Sequence, residues 1–136
     1  MSAPINFEGY RITNLSYQFN PKIESTKKDI DLETTIEPEI KCSLADDLTH
    51  GLVTITIDVR NAGDRNLSIT VDGHFSIDLD MVSEETEIQE LIAMNGSAIL
   101  MPYVRSLVSM VTSLDSPKSI IIPTINIYDF FNNNNE

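Results

Sequence analysis

Tryptophan is absent, and Cys42 is the one cysteine. A single thiol cannot close an internal disulfide, and the two histidines, His50 and His74, supply neither a CxxC pair nor an HExxH spacing. Five glycines are too few and too scattered to cradle phosphate. No serine sits in a GxSxG elbow, so a nucleophile of that kind is missing. Cationic side chains are scarce: 9 Lys and Arg face 21 Asp and Glu, a net charge of −12. Such a field repels nucleic acid and anionic membrane surfaces, which disfavours both as partners. No uninterrupted apolar run reaches bilayer length, and MSAPINFEGY has neither a basic nor an apolar leader segment. The expectation is a soluble cytoplasmic protein, not an enzyme, with no cofactor, no metal and no membrane insertion.

What remains is an ordinary globular composition, 41% hydrophobic and 22% charged over 136 residues. That length predicts one domain, 1–136, with a modest core. Tyr10 and Ile12 alternate, as do Leu15, Tyr17 and Phe19, but the two sets are out of phase. Side chains on a strand alternate faces, so the break predicts a bulge inside one first strand, ended by Asn20-Pro21. Lys22 to Thr35 has no period and reads as a surface loop. Ile36, Pro38, Ile40, Cys42 and Leu44 then occupy every second position, a half-buried strand that, given Pro38, lies at a sheet edge or begins irregularly. Val53, Ile55, Ile57 and Val59 give a third strand, and Asn61-Ala62-Gly63-Asp64 supplies hairpin chemistry. The fourth strand carries Leu67, Ile69, Val71, Phe75, Ile77, Leu79 and Met81 on one face, with Gly73 among them. Short connections predict an antiparallel meander with one dry face and one wet face.

Two helices and a short third follow. Ser83 is placed to cap the first, with Glu84, Glu85 and Glu87 in its opening turns and Asn95-Gly96 at its end. The second has Val104, Leu107, Val111 and Leu114 at one-stripe spacing. Pro102 falls either in its first turn or at a kink. Its other face is small, with Ser106, Ser109 and Ser113 recurring, and Tyr103 and Met110 widen its apolar surface. A helix without a strongly solvated face is buried on more than one side, which points to a partner subunit. Ser119 to Pro123 is an apolar connector, and Asn126 or Asp129 opens the last helix.

Candidate sites have bland readings beside sharp ones. Asp72, His74 and Asp78, with Asp58 on the neighbouring strand, have metal-ligand chemistry; a solvated sheet face is the preferred reading. His50 beside Gly51 reads as a turn residue, and Cys42 as a buried, inert thiol. Asp72 to Glu90 holds seven carboxylates and no Lys or Arg, either a solvated surface or a dock for a basic partner. Met94, Ile99, Met101, Tyr128, Phe130 and Phe131 are either core or, with Ile40, Cys42 and Leu44 of the sheet, the lining of an exposed apolar groove.

Four segments carry a family likeness. Ile99-Leu100-Met101-Pro102-Tyr103-Val104-Arg105 resembles the ILFPYAR helix entry of the SecB protein-export chaperones. Pro123-Thr124-Ile125-Asn126-Ile127, followed by Tyr128-Asp129-Phe130-Phe131, resembles that family's PPVNF...LF helix opening. Leu44-Ala45-Asp46-Asp47 and Gly73-His74-Phe75-Ser76-Ile77 resemble its LADD and GGIFSI segments, all in the same order along nearly the whole chain. The resemblance implies an α+β fold, a four-stranded antiparallel sheet with helices on one face. It implies an ATP-independent holdase that binds unfolded or extended polypeptide and assembles as a dimer of dimers through sheet edges and the long helix. Tyr103, Ser106, Ser109, Met110 and Ser113 would then belong to the oligomer interface. The family docks the SecA motor with acidic residues on its first and fourth strands. Asn14, Gln18, Asn66 and Ser68 stand at those places, which puts SecA docking in doubt. An adaptor dedicated to one partner, such as an antitoxin, is the alternative function.

Overall fold

A computed structural model describes residues 3–19, 34–61, 65–115 and 120–134. Four strands build one antiparallel sheet: β1 (Ile5–Phe19), β2 (Thr34–Leu44), β3 (His50–Asn61) and β4 (Arg65–Ile77). Their spatial order is β1-β4-β3-β2. Only β2, β3 and β4 form the expected meander; β1 pairs with β4 and lies at the opposite edge from β2. The long stretch between β1 and β2 makes that crossing feasible, whereas a tight turn would not. The stretch read as a loop ends sooner than expected, because Thr34 and Thr35 already belong to β2; residues 20–33, residues 62–64 of the expected hairpin and Ser119 of the expected connector lie outside the described residues.

The phase break in β1 is a bulge. Register shifts fall between Ile12 and Asn14 and, five residues earlier, between Phe7 and Gly9. Gly9 has φ 134°, a backbone conformation that side chains rarely adopt, so glycine is what the first shift requires. β4 ends at Ile77, and Leu79 and Met81 are exposed beyond it rather than on its dry face. In the β2–β3 turn Leu48 takes a left-handed backbone, φ 63°. There the Asp47 carboxylate accepts bonds from Thr49, from its hydroxyl at 2.7 Å and its N–H at 3.1 Å.

The helical layer departs most from the sequence reading. Residues Glu85 to Asp115 form one continuous helix of 31 residues. It comprises α1 (Glu85–Leu91), a π-helical turn (Ile92–Gly96) and α2 (Ser97–Asp115). Asn95-Gly96 does not stop it, Pro102 lies in its interior, and its N-cap is Glu84 instead of Ser83. Joined this way it is long and apolar enough to cross a membrane by length and composition, which the segmented reading did not foresee. Its inner side instead packs on the sheet. Ile88, Ile92, Gly96, Leu100, Val104, Val108 and Thr112 are all buried, spaced every fourth residue. An α-helix advances about 100° per residue, so such a stripe would drift about 40° at each step. The wider π turn takes up part of that drift and keeps both ends facing the sheet. The stripe is therefore rotated from the expected one: Leu107 and Val111 are half-buried, and Leu114 is 81% exposed.

Glycines set the close approach. A Cβ at Gly96 would sit 3.0 Å from Val53, and one at Gly51 would sit 2.7 Å from Ile92. The core beneath the helix is the dry face of β3 and β4, from Val53 to Val59 and from Leu67 to Ile77. The connector is clipped to α2: Thr112 Oγ1 accepts the Ile120 N–H at 2.8 Å, and Arg105 Nε donates to the Ile122 carbonyl at 3.0 Å. Ile120 and Ile122 are buried and Ile121 is exposed, the alternation of an extended segment. α3 (Ile127–Asn134) opens where Asn126 Oδ1 accepts the Asp129 N–H at 3.1 Å, an Asn N-cap.

Candidate functional site: an apolar row under one sheet edge

β2 is an edge strand, and nothing but β3 pairs with it among the described residues. Its dry-face side chains Ile36, Ile40 and Leu44 are half-buried against the core, as a row partly roofed by other elements must be. At 3.3–3.4 Å per residue the row from Ile36 to Leu44 runs about 27 Å. Two clefts open along it. Ile36, Glu37 and Pro38 form one wall of the larger, about 580 Å³, with Ile122, Pro123, Ile125 and Phe130 opposite. The smaller, about 190 Å³, lies between Cys42, Ser43 and Leu44 on β2 and Gln89, Ile92 and Ala93 on the helix.

The expected groove residues divide between these places. Phe130 reaches the larger cleft, and Cys42 and Leu44 the smaller, with Ile40 between them. Phe131 stacks on Phe130 at 5.5 Å and packs against the core. Tyr128 and Ile99 are exposed and line neither cleft, and Met94 is half-buried. Met101 does not belong: it is buried in the core, because it follows Leu100 on the helix side that meets the sheet. Cys42 is exposed rather than buried, while the atoms packed around its sulfur still push its pKa up. Ile36, Pro38, Ile122, Pro123 and Ile125 were missing from the expected set. The alternation of β2 already put Ile36 and Pro38 on the face of Ile40; the connector has no period to single out its residues.

A second apolar surface lies at the other edge. Ile12, Leu15 and Phe19 are 44%, 50% and 53% exposed. They sit on the dry face, opposite Val71, Ile69 and Arg65 of β4, where the helix does not extend to cover them. Tyr103 closes part of this gap, stacked on Phe7 at 5.4 Å and tilted against Tyr10 at 5.0 Å. Tyr17 Oη donates to Asp115 at 2.6 Å, tying β1 to the end of α2. On the outward side of α2, Met110, Ser106 and Ser113 are exposed and Ser109 is half-buried.

The wet face holds no metal-like cluster: among the described residues, no three His, Cys, Asp or Glu side chains converge. Asp72 accepts the Thr54 hydroxyl at 2.7 Å. Asp58 pairs with Ser68, four residues along β4 from Asp72, and is not its neighbour.

No family model matches the chain. An uncharacterized protein of Methanocaldococcus jannaschii is 28% identical over 139 residues, covering 93% of this chain and 84% of that one. Among solved structures, a SecB-like chaperone of Mycobacterium tuberculosis, in complex with a ChAD peptide from an antitoxin, superposes with a TM-score of 0.72. It is 18% identical and the match covers 90% of this chain and 91% of that one. A protein of unknown function from Streptococcus agalactiae matches at a TM-score of 0.54, 14% identity, and coverage of 88% and 97%. The fold of this chain is SecB-like, α+β, with an open four-stranded antiparallel sheet and helices on one face.

Proposed function

We propose that this protein is an ATP-independent polypeptide-binding chaperone of the SecB kind, holding unfolded or extended apolar segments without catalysis, cofactor or nucleotide. One observation carries the reading: a row of apolar side chains with open clefts runs for about 27 Å under a sheet edge that, among the described residues, only β3 pairs with. Contiguous apolar surface of this sort marks an interaction site, and a line along a strand suits an extended chain better than a compact ligand. The SecB-like fold supports it. The uncovered Ile12, Leu15 and Phe19, with the outward face of α2, are then met by sister chains in a dimer of dimers. The protein acts in the cytoplasm, with neither nucleic acid nor membrane as partner.

A second reading is an adaptor devoted to one partner, such as an antitoxin, that does not dock SecA. Two observations favour it. The peptide bound to the M. tuberculosis neighbour comes from an antitoxin. In addition, Asn14, Gln18, Asn66 and Ser68 leave the β1–β4 end of the wet face without carboxylates, with Gln18 directly opposite Asn66.

The deciding experiment is light scattering of an aggregating unfolded protein, without nucleotide, at stoichiometric excess of the full chain. Suppression is expected. Its absence would end the general chaperone reading, and binding to a single partner that unrelated unfolded proteins do not displace would establish the adaptor.

A further inference from the structure

Another cleft, about 290 Å³, lies between α2 and the connector, lined by Pro102, Arg105, Ser106, Ser109, Ile121 and Ile122. Residues three and four apart share a helix face, so its four α2 side chains stand side by side. The Arg105 Nε bond to the Ile122 carbonyl holds a half-buried guanidinium in place. Among the described residues its two Nη groups have no partner, and no carboxylate lines the cleft. A helical serine or threonine often returns its hydroxyl to a carbonyl three or four residues back. Thr112 and Ser113 do so, to Val108 at 2.8 Å and to Met110 at 2.9 Å. Among the described residues the hydroxyls of Ser106 and Ser109 make no such bond. Charge isolates the place further. Residues 91–114 contain no Asp or Glu, and Arg105 is the only Lys or Arg in residues 66–117. Asp115, the next carboxylate along the helix, is about 15 Å away at 1.5 Å per residue. Physiological salt screens charges beyond about 8 Å, so the chain's net charge of −12 reaches the cleft weakly and Arg105 sets the local sign. A half-buried guanidinium without a counter-ion is costly, and an anion in the cleft removes that cost.

We propose that this cleft binds a phosphate dianion, free or as a small monoester, between the Arg105 Nη groups and the hydroxyls of Ser106 and Ser109. The site uses none of the β2 row and stands whether or not the chain holds unfolded polypeptide. The donor set selects the class of anion. A carboxylate offers two oxygens in one plane, which the arginine fork alone satisfies. A phosphate keeps a further oxygen for the serines, and its second charge strengthens every bond it accepts. Pro102 and Ile121 are exposed and give the cleft an apolar rim on which the remainder of a monoester can rest. Because the Nε bond already fixes the guanidinium, little side-chain freedom is left to lose on binding. Ser106 and Ser109 also border the proposed sister-chain contact, so the cleft has to stay open in the protein as it assembles.

The test is a titration of inorganic phosphate onto the intact full chain at about pH 8, where the dianion prevails, with chloride exchanged to keep the ionic strength constant. The nitrogen resonances of Arg105 Nε and of the Ser106 and Ser109 amides report binding. Half-saturation at about 1 mM is expected, the scale of a few charge-assisted hydrogen bonds in water. Arg105→Gln should weaken binding at least about tenfold, although it also removes the clip on the connector. Ser106→Ala combined with Ser109→Ala leaves that clip in place and should weaken binding about tenfold. Acetate should bind at least about tenfold more weakly than phosphate, and equal affinity overturns the choice of a phosphate. Phenyl phosphate separates the two sources: tighter binding than phosphate assigns a monoester resting on Pro102 and Ile121, and weaker binding assigns free phosphate. The absence of a saturable shift up to about 50 mM phosphate, or an affinity unchanged in the double serine variant, overturns the site. Neither result touches the suppression of aggregation on which the chaperone reading is judged.

Discussion

The two edges of this sheet are built on opposite plans. β1 is long and irregular: two bulges interrupt its register, and its dry-face side chains Ile12, Leu15 and Phe19 run past the helix into solvent. Bulges turn an edge away from further pairing, so what β1 presents is hydrocarbon. β2 is shorter and regular, its dry face is half-roofed by α1 and the connector, and its backbone stays aligned from Thr34 to Leu44. What it presents is peptide groups beside two clefts. On the proposed function, the β1 edge would meet a sister chain and the β2 edge a polypeptide client.

Separate duties for the edges predict separable damage. The largest effect is expected from Leu15→Glu combined with Phe19→Glu. Burying two such side chains stabilises association by about 3–6 kcal/mol, so their loss should weaken self-association about 100-fold or more. Sedimentation velocity would read this as a shift to smaller species. Peptide affinity per protomer should stay within about twofold, and a parallel collapse of both would show that the edges are not independent. The reverse substitution set is milder. Phe130→Ala empties one wall of the larger cleft, and truncating a buried aromatic anchor costs about 2 kcal/mol, near 30-fold in affinity. The sedimentation profile of that variant should match the parent.

Much of this contrast was legible in the residues, and the part that was not has a physical cause. Period-two alternation exposes strands, and a phase slip between Ile12 and Leu15 exposes a bulge, because the pleat has no other way to change face. Pro38, with no N–H to give a ladder, pointed to an edge or an irregular start, and β2 is an edge. Neighbour order is different. Nothing in the pattern of β1 states that it crosses to β4, since both faces of that choice bury the same side chains. The helix misled because Asn95-Gly96 and Pro102 are ordinary stop signals, and tertiary contact overrode them. Gly96 fits where a Cβ would press on Val53, so its small size serves packing, not termination. The four-residue spacing of Ile88, Ile92, Gly96, Leu100 and Val104 was visible, but it takes the sheet to show that it is one stripe. Once the stripe is placed, Met101 turns inward with it and Leu114 turns out. The connector residues Ile122, Pro123 and Ile125 are held at the site by core packing, by the Ile120 N–H bond to Thr112 and by the Arg105 bond to Ile122, which no local pattern encodes.

The smallest expected effect sets the edges against each other in pH. On the β1 side, burial and then the hydrogen bond to Asp115 raise the Tyr17 pKa above its ordinary 10.0. A group raised on folding contributes stability that is present below its unfolded value and lost as pH climbs through the folded one. On the β2 side, the Thr49 hydroxyl and then the Thr49 N–H hold the Asp47 carboxylate below 3.8. That contribution is present above 3.8 and lost as pH falls through the lower folded value. Both groups are largely open to water, so each matters locally rather than globally. Amide exchange, corrected for its intrinsic pH dependence, should therefore show β1 near Tyr17 loosening above about pH 10 and the β2–β3 turn loosening below about pH 4. Tyr17→Phe should abolish the alkaline change alone and Asp47→Asn the acid change alone. If either substitution moves both ends, the two edges share one opening event and the division of labour between them is wrong.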